Sequence, residues 1–219
     1  MSPERNYCRR FSMAFVSSDM PVTQTLSARA VKILIAGGFG VGKTTMVGSV
    51  SEIRPLRTEE MISELSSGVD DMSGIEDKTT TTVALDFGRI TINPDLILYL
   101  FGTPGQERFW FMWDELAYEA LGAVVLADTR RLESCFAAVD FFERRKIPFI
   151  IAVNCFDNTP VYESDEVGEA LGIDKAIPTV MCDVRTRDSS KLVLVTLLEY
   201  LISLTMPATA SAKESSPTQ

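Results

Sequence analysis

Short apolar runs recur along the chain, and the stretches between them carry apolar residues at helical spacing. The first run, AVKILIA at 30–36, ends in a Gly-rich turn, the pattern of a buried strand that feeds a loop. A helix is predicted from about Lys43, stopping before Pro55. Strand signals return at VALDFGRITI (83–92) and LILYLF (96–101), joined by a turn at NPD, and again at GAVVLA (122–127), IPFIIAV (147–153) and AIPTVMC (176–182). Helical stretches fall at 114–120, 131–145, 164–171 and 188–204. Strands alternating with helices imply a mostly parallel sheet covered on both faces. The hairpin-like join of the second and third strands makes one edge antiparallel. The expected fold is therefore an α/β three-layer sandwich around a six-stranded, mostly parallel sheet with one antiparallel edge strand.

Residues 55–81 break this rhythm. They are polar, contain Gly68, Gly74 and an Asp pair, and show only a short helical patch near EEMISEL, which reads as a long functional loop. The start of the chain, residues 1–29, lacks the apolar core and cleavage site of a signal peptide and reads as a flexible leader, with Met13 or Met20 as alternative starts. A weaker alternative is a membrane-surface anchor built from Arg5, Arg9, Arg10 and Phe11. The last residues, 205–219, are small, polar and Pro-containing and read as a disordered tail. One domain over 30–204 remains, and no internal repeat is evident.

Composition narrows the chemistry. A net charge of −9 and a pI near 4.7 are the wrong sign for tracking a phosphate backbone, which argues against nucleic acid as a partner. Cys8, Cys135, Cys155 and Cys182 are scattered and form no CxxC pair, and the chain has no His to complete a metal site. They read as reduced thiols of a cytoplasmic protein. The lack of His also excludes Ser-His-Asp and Cys-His nucleophiles. No apolar run is long enough to span a bilayer; LVLVTLLEYLISL at 192–204 is short and carries Glu199.

GGFGVGKTT at 37–45 fits G-x-x-x-x-G-K-[ST] through Gly37, Gly42, Lys43 and Thr44, between a predicted strand and a predicted helix. That context marks a P-loop NTPase sandwich. Backbone amides from Gly37, Gly38, Gly40, Val41 and Gly42 to Thr45 would wrap phosphate oxygens at a helix N-terminus. Lys43 would neutralise phosphate charge, and Thr44 would offer its hydroxyl to Mg2+. NCFD at 154–157 has Asn154 and Asp157 at the spacing of the guanine-reading N-K-x-D element, with Cys155 in place of Lys. A carboxylate at 157 accepts two hydrogen bonds from guanine, a donor pattern adenine lacks. The competing reading is an Asx turn. CDVR at 182–185 follows the last strand, where the amides of Asp183 and Val184 would meet the guanine carbonyl; its side chains are not diagnostic.

KTTTTVALDF at 78–87 offers a threonine for the metal and γ-phosphate, with Thr82 chosen by alignment to Rab-type patterns; a β-rich strand start is the plainer reading. GTPGQ at 102–106 resembles a D-T-A-G-Q corner. Gly105 would give its amide to the γ-phosphate and Gln106 would orient the attacking water. Gly102 stands where a carboxylate normally holds a metal-bound water. Mg2+ would then rest on Thr44, Thr82 and phosphate oxygens, with Asp86 as an alternative carboxylate. Next, Phe109, Trp110, Phe111, Met112 and Trp113 fall in one segment, readable as a partner-docking patch or as core under the corner.

Together, residues 30–204 resemble the Ras-like P-loop GTPases. They look most like the actinobacterial conservon GTP/ATP-binding proteins, on GGFGVGKTT, TTTVALDFGRI and FGTPGQERFWFMWDEL. The resemblance implies a cytoplasmic guanine-nucleotide switch that uses GTP/GDP and Mg2+. It also implies work beside a roadblock-type protein and a sensor-kinase-like membrane protein, with membrane contact through partners. Relatives that also lack the acid at position 102 carry an Arg before the switch threonine; Thr81 holds that place here, so no built-in arginine finger is evident and unassisted hydrolysis should be slow. A scaffold that binds nucleotide without turnover is the alternative, and an ATPase or kinase is disfavoured by Asn154 and Asp157.

Overall fold

The computed structural model describes residues 28–54, 56–63, 80–160 and 162–205. The expected leader and tail, the alternative anchor at Arg5 to Phe11, and Gly68 and Gly74 lie outside these residues, apart from the few at either boundary. The elements run β1 (Arg29–Gly37), α1 (Lys43–Val50), β2 (Leu56–Ser63), β3 (Thr80–Asn93), β4 (Leu96–Gly102), α2 (Trp113–Ala117), β5 (Ala120–Ala127), α3 (Phe136–Arg145), β6 (Phe149–Asn154), α4 (Ser164–Leu171), β7 (Thr179–Cys182) and α5 (Arg187–Thr205). Short 3-10 segments, Glu107–Met112 and Thr129–Cys135, lead into α2 and α3.

The strands form one sheet in the order β2-β3-β4-β1-β5-β6-β7. All neighbours of β1, β5 and β6 are parallel to them, while β3 runs antiparallel to β2 and β4. The six strands expected from the apolar runs all form, giving the anticipated α/β P-loop fold. A seventh, β2, is added at the edge, where the pattern suggested a loop with a helical patch near EEMISEL. The antiparallel strand β3 is therefore next to the edge. The source of the difference is visible in the segment itself: LRTEEMIS is mostly polar and shows no apolar alternation, so its pairing with β3 carries no strong sequence signal.

Alternation on the central strands divides the core. Ile33, Ile35, Val124, Leu126, Ile150 and Ala152 face α1 and α5, which contribute Met46, Val47, Val50, Val193, Leu194 and Leu197. Their sequence neighbours Leu34, Ala36, Ala123, Val125, Ile151 and Val153 face α2, α3 and α4, around Trp113, Val139, Phe142 and Val167. Central strands buried on both faces read as unbroken apolar runs, which is why these were visible in the sequence.

The chain moves to opposite sides of β1 when it goes to β4 and to β5, so the carboxyl end of β1 lies at the point where strand order reverses. Open α/β sheets bind ligands at such a point. The loop Gly38–Gly42 sits there, followed at once by α1.

Candidate functional site

The glycine-rich loop is shaped by close approaches. Gly42, just before α1, has φ +111°, and a Cβ on it would stand 2.9 Å from both Asn154 Nδ2 and Val184 Cγ2. Gly38 is packed against the Ser134 side chain, and Gly37 and Gly40 also have positive φ. Val41 is buried, while Thr44 and Thr45 open α1 with exposed side chains.

Lys43 Nζ donates to the carbonyls of Gly37 (3.0 Å) and Gly38 (2.6 Å). Burial strips water from this ammonium and pulls its pKa down to about 8, partly opposed by the charge of Asp86. Gly105 lies directly over it: a Cβ there would be 2.6 Å from Lys43 Nζ and 2.8 Å from the Gly38 carbonyl. The corner Gly102–Gln106 is thus closed onto the loop. Thr103 N donates to Ile35 O (2.9 Å) and Trp113 Nε1 to Pro104 O (3.1 Å), pinning the corner from both sides. Gln106 is half-buried at its end.

The aromatic segment after the corner divides between its two readings. Trp113 is buried, meets Phe141 edge-on and stacks on Phe142, and Phe109 is buried as well. Phe111 is 61% exposed. The Trp110 side chain lies outside the described residues.

Asp86 and Gly102 face each other across the β3–β4 pair. Asp86 is buried, and its Oδ2 accepts a 2.5 Å hydrogen bond from Thr44 Oγ1. A Cβ on Gly102 would come within 3.0 Å of the Asp86 Cβ and 3.2 Å of its Oδ2. A carboxylate absent from position 102 is thereby present one strand away, beside the Thr44 hydroxyl. Among the described residues no cluster of three or more Asp, Glu, Cys or His forms a metal site of its own. A hydroxyl and a carboxylate together do suit Mg2+, which takes few protein oxygens and leaves the rest to water and phosphate. Thr82 lies in β3 opposite Met61, with its side chain, like that of Thr81, outside the described residues.

Asn154 ties three loops together. Its Nδ2 donates to Val41 O (2.9 Å), and its Oδ1 accepts from Val184 N (3.3 Å). Buried at the end of β6, it holds the phosphate loop, the NCFD turn and the CDVR turn in register. Val184 is buried, and Asp183 N donates to Ser189 Oγ (2.9 Å). Asp157 is exposed at the mouth, where Arg185 pairs with it through Nη1 to Oδ2 (2.6 Å) and Nη2 to Oδ1 (3.0 Å). That guanidinium also holds Asp183 and keeps both carboxyls below the usual carboxylate range.

Two arginines escaped the sequence reading. Arg185 sits in a turn whose side chains looked uninformative, and only the fold brings it to Asp157. Arg131 follows β5, and its Nη2 reaches the carbonyl of Phe39 (3.2 Å) at the tip of the glycine-rich loop. It is braced by buried Asp128, which Arg130 also grips. A cation therefore stands at the loop although Thr81 is not an arginine; no local motif marks it.

A sequence model of the family described as "Conserved hypothetical ATP binding protein" matches residues 35–204. An uncharacterized protein of Methanocaldococcus jannaschii is 32% identical over 130 residues, covering 58% of this chain and 71% of that protein. A protein of Thermofilum pendens described as "Probable translation initiation factor IF-2" is 25% identical over 178 residues, 80% of this chain, which spans 28% of its length. Among solved structures, the G domain of the T. maritima FeoB iron transporter superposes with a TM-score of 0.55 at 19% identity, covering 78% of this chain and 99% of that one. The cytosolic domain of that transporter in a GDP form gives 0.57 at 18%, covering 81% and 66%. At such identities the likeness is one of fold, and the fold is that of a P-loop GTPase domain.

The lowered pKa of Lys43 predicts a proton linkage. Burial disfavours the charged form, and a bound polyphosphate would favour it, so binding would raise the pKa again. Polyphosphate affinity should fall as pH rises through about 8, and binding at pH 8.5 should take up most of one proton, against little at pH 7. Calorimetry of pyrophosphate or GDP in two buffers of different ionisation enthalpy measures this; equal uptake at both pH values would contradict it.

Proposed function

We propose that this chain, which belongs to the family described as conserved hypothetical ATP binding proteins, is a guanine-nucleotide switch with slow GTP hydrolysis of its own. The observation that carries the proposal is the bridge made by Asn154. It ties the phosphate loop to the turn that holds Val184, beside the NCFD turn that carries Asp157, so one ligand with a polyphosphate tail and a guanine edge would span both ends. The amides of Val184 and Asp183 already donate to Asn154 Oδ1 and Ser189 Oγ and would have to leave those partners to meet the guanine carbonyl. Guanine presents two adjacent donors to a carboxylate; adenine presents no such pair. The family is described by ATP binding, whereas the acceptor at Asp157 favours guanine.

In this reading Gly37, Gly38, Gly40, Val41, Gly42 and Thr45 cradle the phosphates through backbone amides, and Lys43 exchanges its two carbonyl partners for phosphate oxygens. Thr44 and Asp86 would hold Mg2+, with Thr82 added from the switch segment; the ion would neutralise charge on the terminal phosphates. Gly105, already closed over Lys43, supplies its amide to the γ-phosphate, and Gln106 orients water. The corner and the segment leading to Thr82 then respond to the γ-phosphate, as ordered switch segments do. The conservon likeness adds a cytoplasmic location beside a roadblock-type protein and a sensor-kinase-like membrane protein, with membrane association through those partners. Among the described residues no helix is long and apolar enough to cross a membrane.

Two substitutions test the proposal. Asp157→Asn should shift preference from guanosine toward xanthosine diphosphate in competition binding, because the amide donates where the carboxylate accepted; unchanged preference would remove Asp157 from base reading. Gln106→Leu should leave GDP affinity intact and lower single-turnover hydrolysis on the order of 100-fold. Equal rates in Gln106→Leu and wild type would favour the non-hydrolysing scaffold.

A further inference from the structure

The guanine-reading carboxylate is engaged by the protein itself. Arg185 makes a two-pronged contact with Asp157, at 2.6 and 3.0 Å, and a second one with Asp183, from Nε to Oδ1 and Nη2 to Oδ2, each at 2.9 Å. Parallel N–H groups on a planar fork are what a carboxylate binds best. The N1–C2–N2 edge of guanine is itself a guanidine fragment with the same two parallel donors. We propose that Arg185 is an internal stand-in for guanine, occupying the base-reading edge of Asp157 in the nucleotide-free protein and moving wholly onto Asp183 when the base arrives. The inference rests on the reading of Asp157 as the guanine acceptor.

Several features suit Arg185 to move while the rest stays. Its backbone N donates to Asp183 Oδ1 (3.0 Å), so the residue remains tethered to Asp183 whichever way the fork points. Buried Val184 and the bonds from Asn154 and Ser189 fix the turn, leaving the side chain as the free part. Asp157 is 73% exposed and the Arg185 side chain 54%, so solvent screens their attraction and a ligand can displace it. Asp183 is the more sheltered carboxylate, at 32% exposure, and offers a resting partner that is already in contact. Among the described residues, Arg185 is the cation that holds Asp157, and it lowers the pKa of that carboxyl. Guanine gains two bonds on displacing the fork, whereas adenine, without the donor pair, gains nothing at Asp157. Arg185 would thus set base affinity by competition, as a specificity-determining residue.

The two partners of Arg185 predict opposite effects. Arg185→Gln frees Asp157 and should tighten GDP on the order of fivefold, chiefly through a faster association rate. Asp183→Asn removes the resting partner, leaves the fork on Asp157 alone, and should weaken GDP by a similar factor. In the double variant the Asp183 effect should vanish, because no fork remains to be held. Pyrophosphate affinity should stay constant in all three, which separates base effects from damage to the fold. Calorimetry and stopped-flow binding of GDP, ADP and pyrophosphate read these quantities. Weaker or unchanged GDP binding in Arg185→Gln would overturn the stand-in, as would an Asp183→Asn effect that persists without Arg185. If instead the wild type fails to prefer GDP over ADP, the base-reading role of Asp157 falls first and takes the stand-in with it.

Discussion

An ammonium group stripped of most of its water stands at the centre of this fold. Lys43 is held by two backbone carbonyls and covered by Gly105, and its lowered pKa shows how poorly that environment serves a positive charge. Such a charge is costly unless an anion joins it. The surrounding loop leads directly into the N-terminus of α1, whose unpaired amides add positive potential of their own. The site therefore suits a polyphosphate, and the residues around it carry the proposed places for a metal and a base.

The proposed metal side of the site draws its carboxylate from a neighbouring strand. In the corner sequence Gly102 looks like a defect, since the position lacks its carboxylate. Across the β3–β4 pair, however, Asp86 brings a carboxylate against Thr44, and the space it uses is the space a side chain at 102 would fill. Glycine at 102 and aspartate at 86 are two halves of one arrangement. The base side is governed in the same manner by a shared contact, with Asn154 binding the phosphate loop to the turn that carries Val184.

Much of this was legible in the sequence, for identifiable reasons. Strands buried on both faces are continuous apolar runs, and a phosphate loop needs its glycines and lysine at fixed spacing, so β1, β5, β6 and the loop declare themselves. The strand β2 did not, because LRTEEMIS is mostly polar and its pairing with β3 shows only in the fold. Asp86 could be suspected but not placed, since its meeting with Thr44 depends on strand register. Arg131 and Arg185 carry no motif at all: each is an ordinary charged residue until the fold brings it to Phe39 or to Asp157. The aromatic segment was ambiguous because a single stretch serves two environments, with Trp113 buried beneath the corner and Phe111 left in solvent.

The proposed Mg2+ site rests on Asp86 supplying the carboxylate that position 102 lacks. Its most direct test is GDP affinity with and without Mg2+ in the wild type and in Asp86→Asn. The account predicts that Mg2+ strengthens binding to the wild type, and that the substitution weakens Mg2+ affinity of the complex about 10- to 100-fold while metal-free GDP affinity stays the same. Full retention of the Mg2+ effect in Asp86→Asn would contradict it.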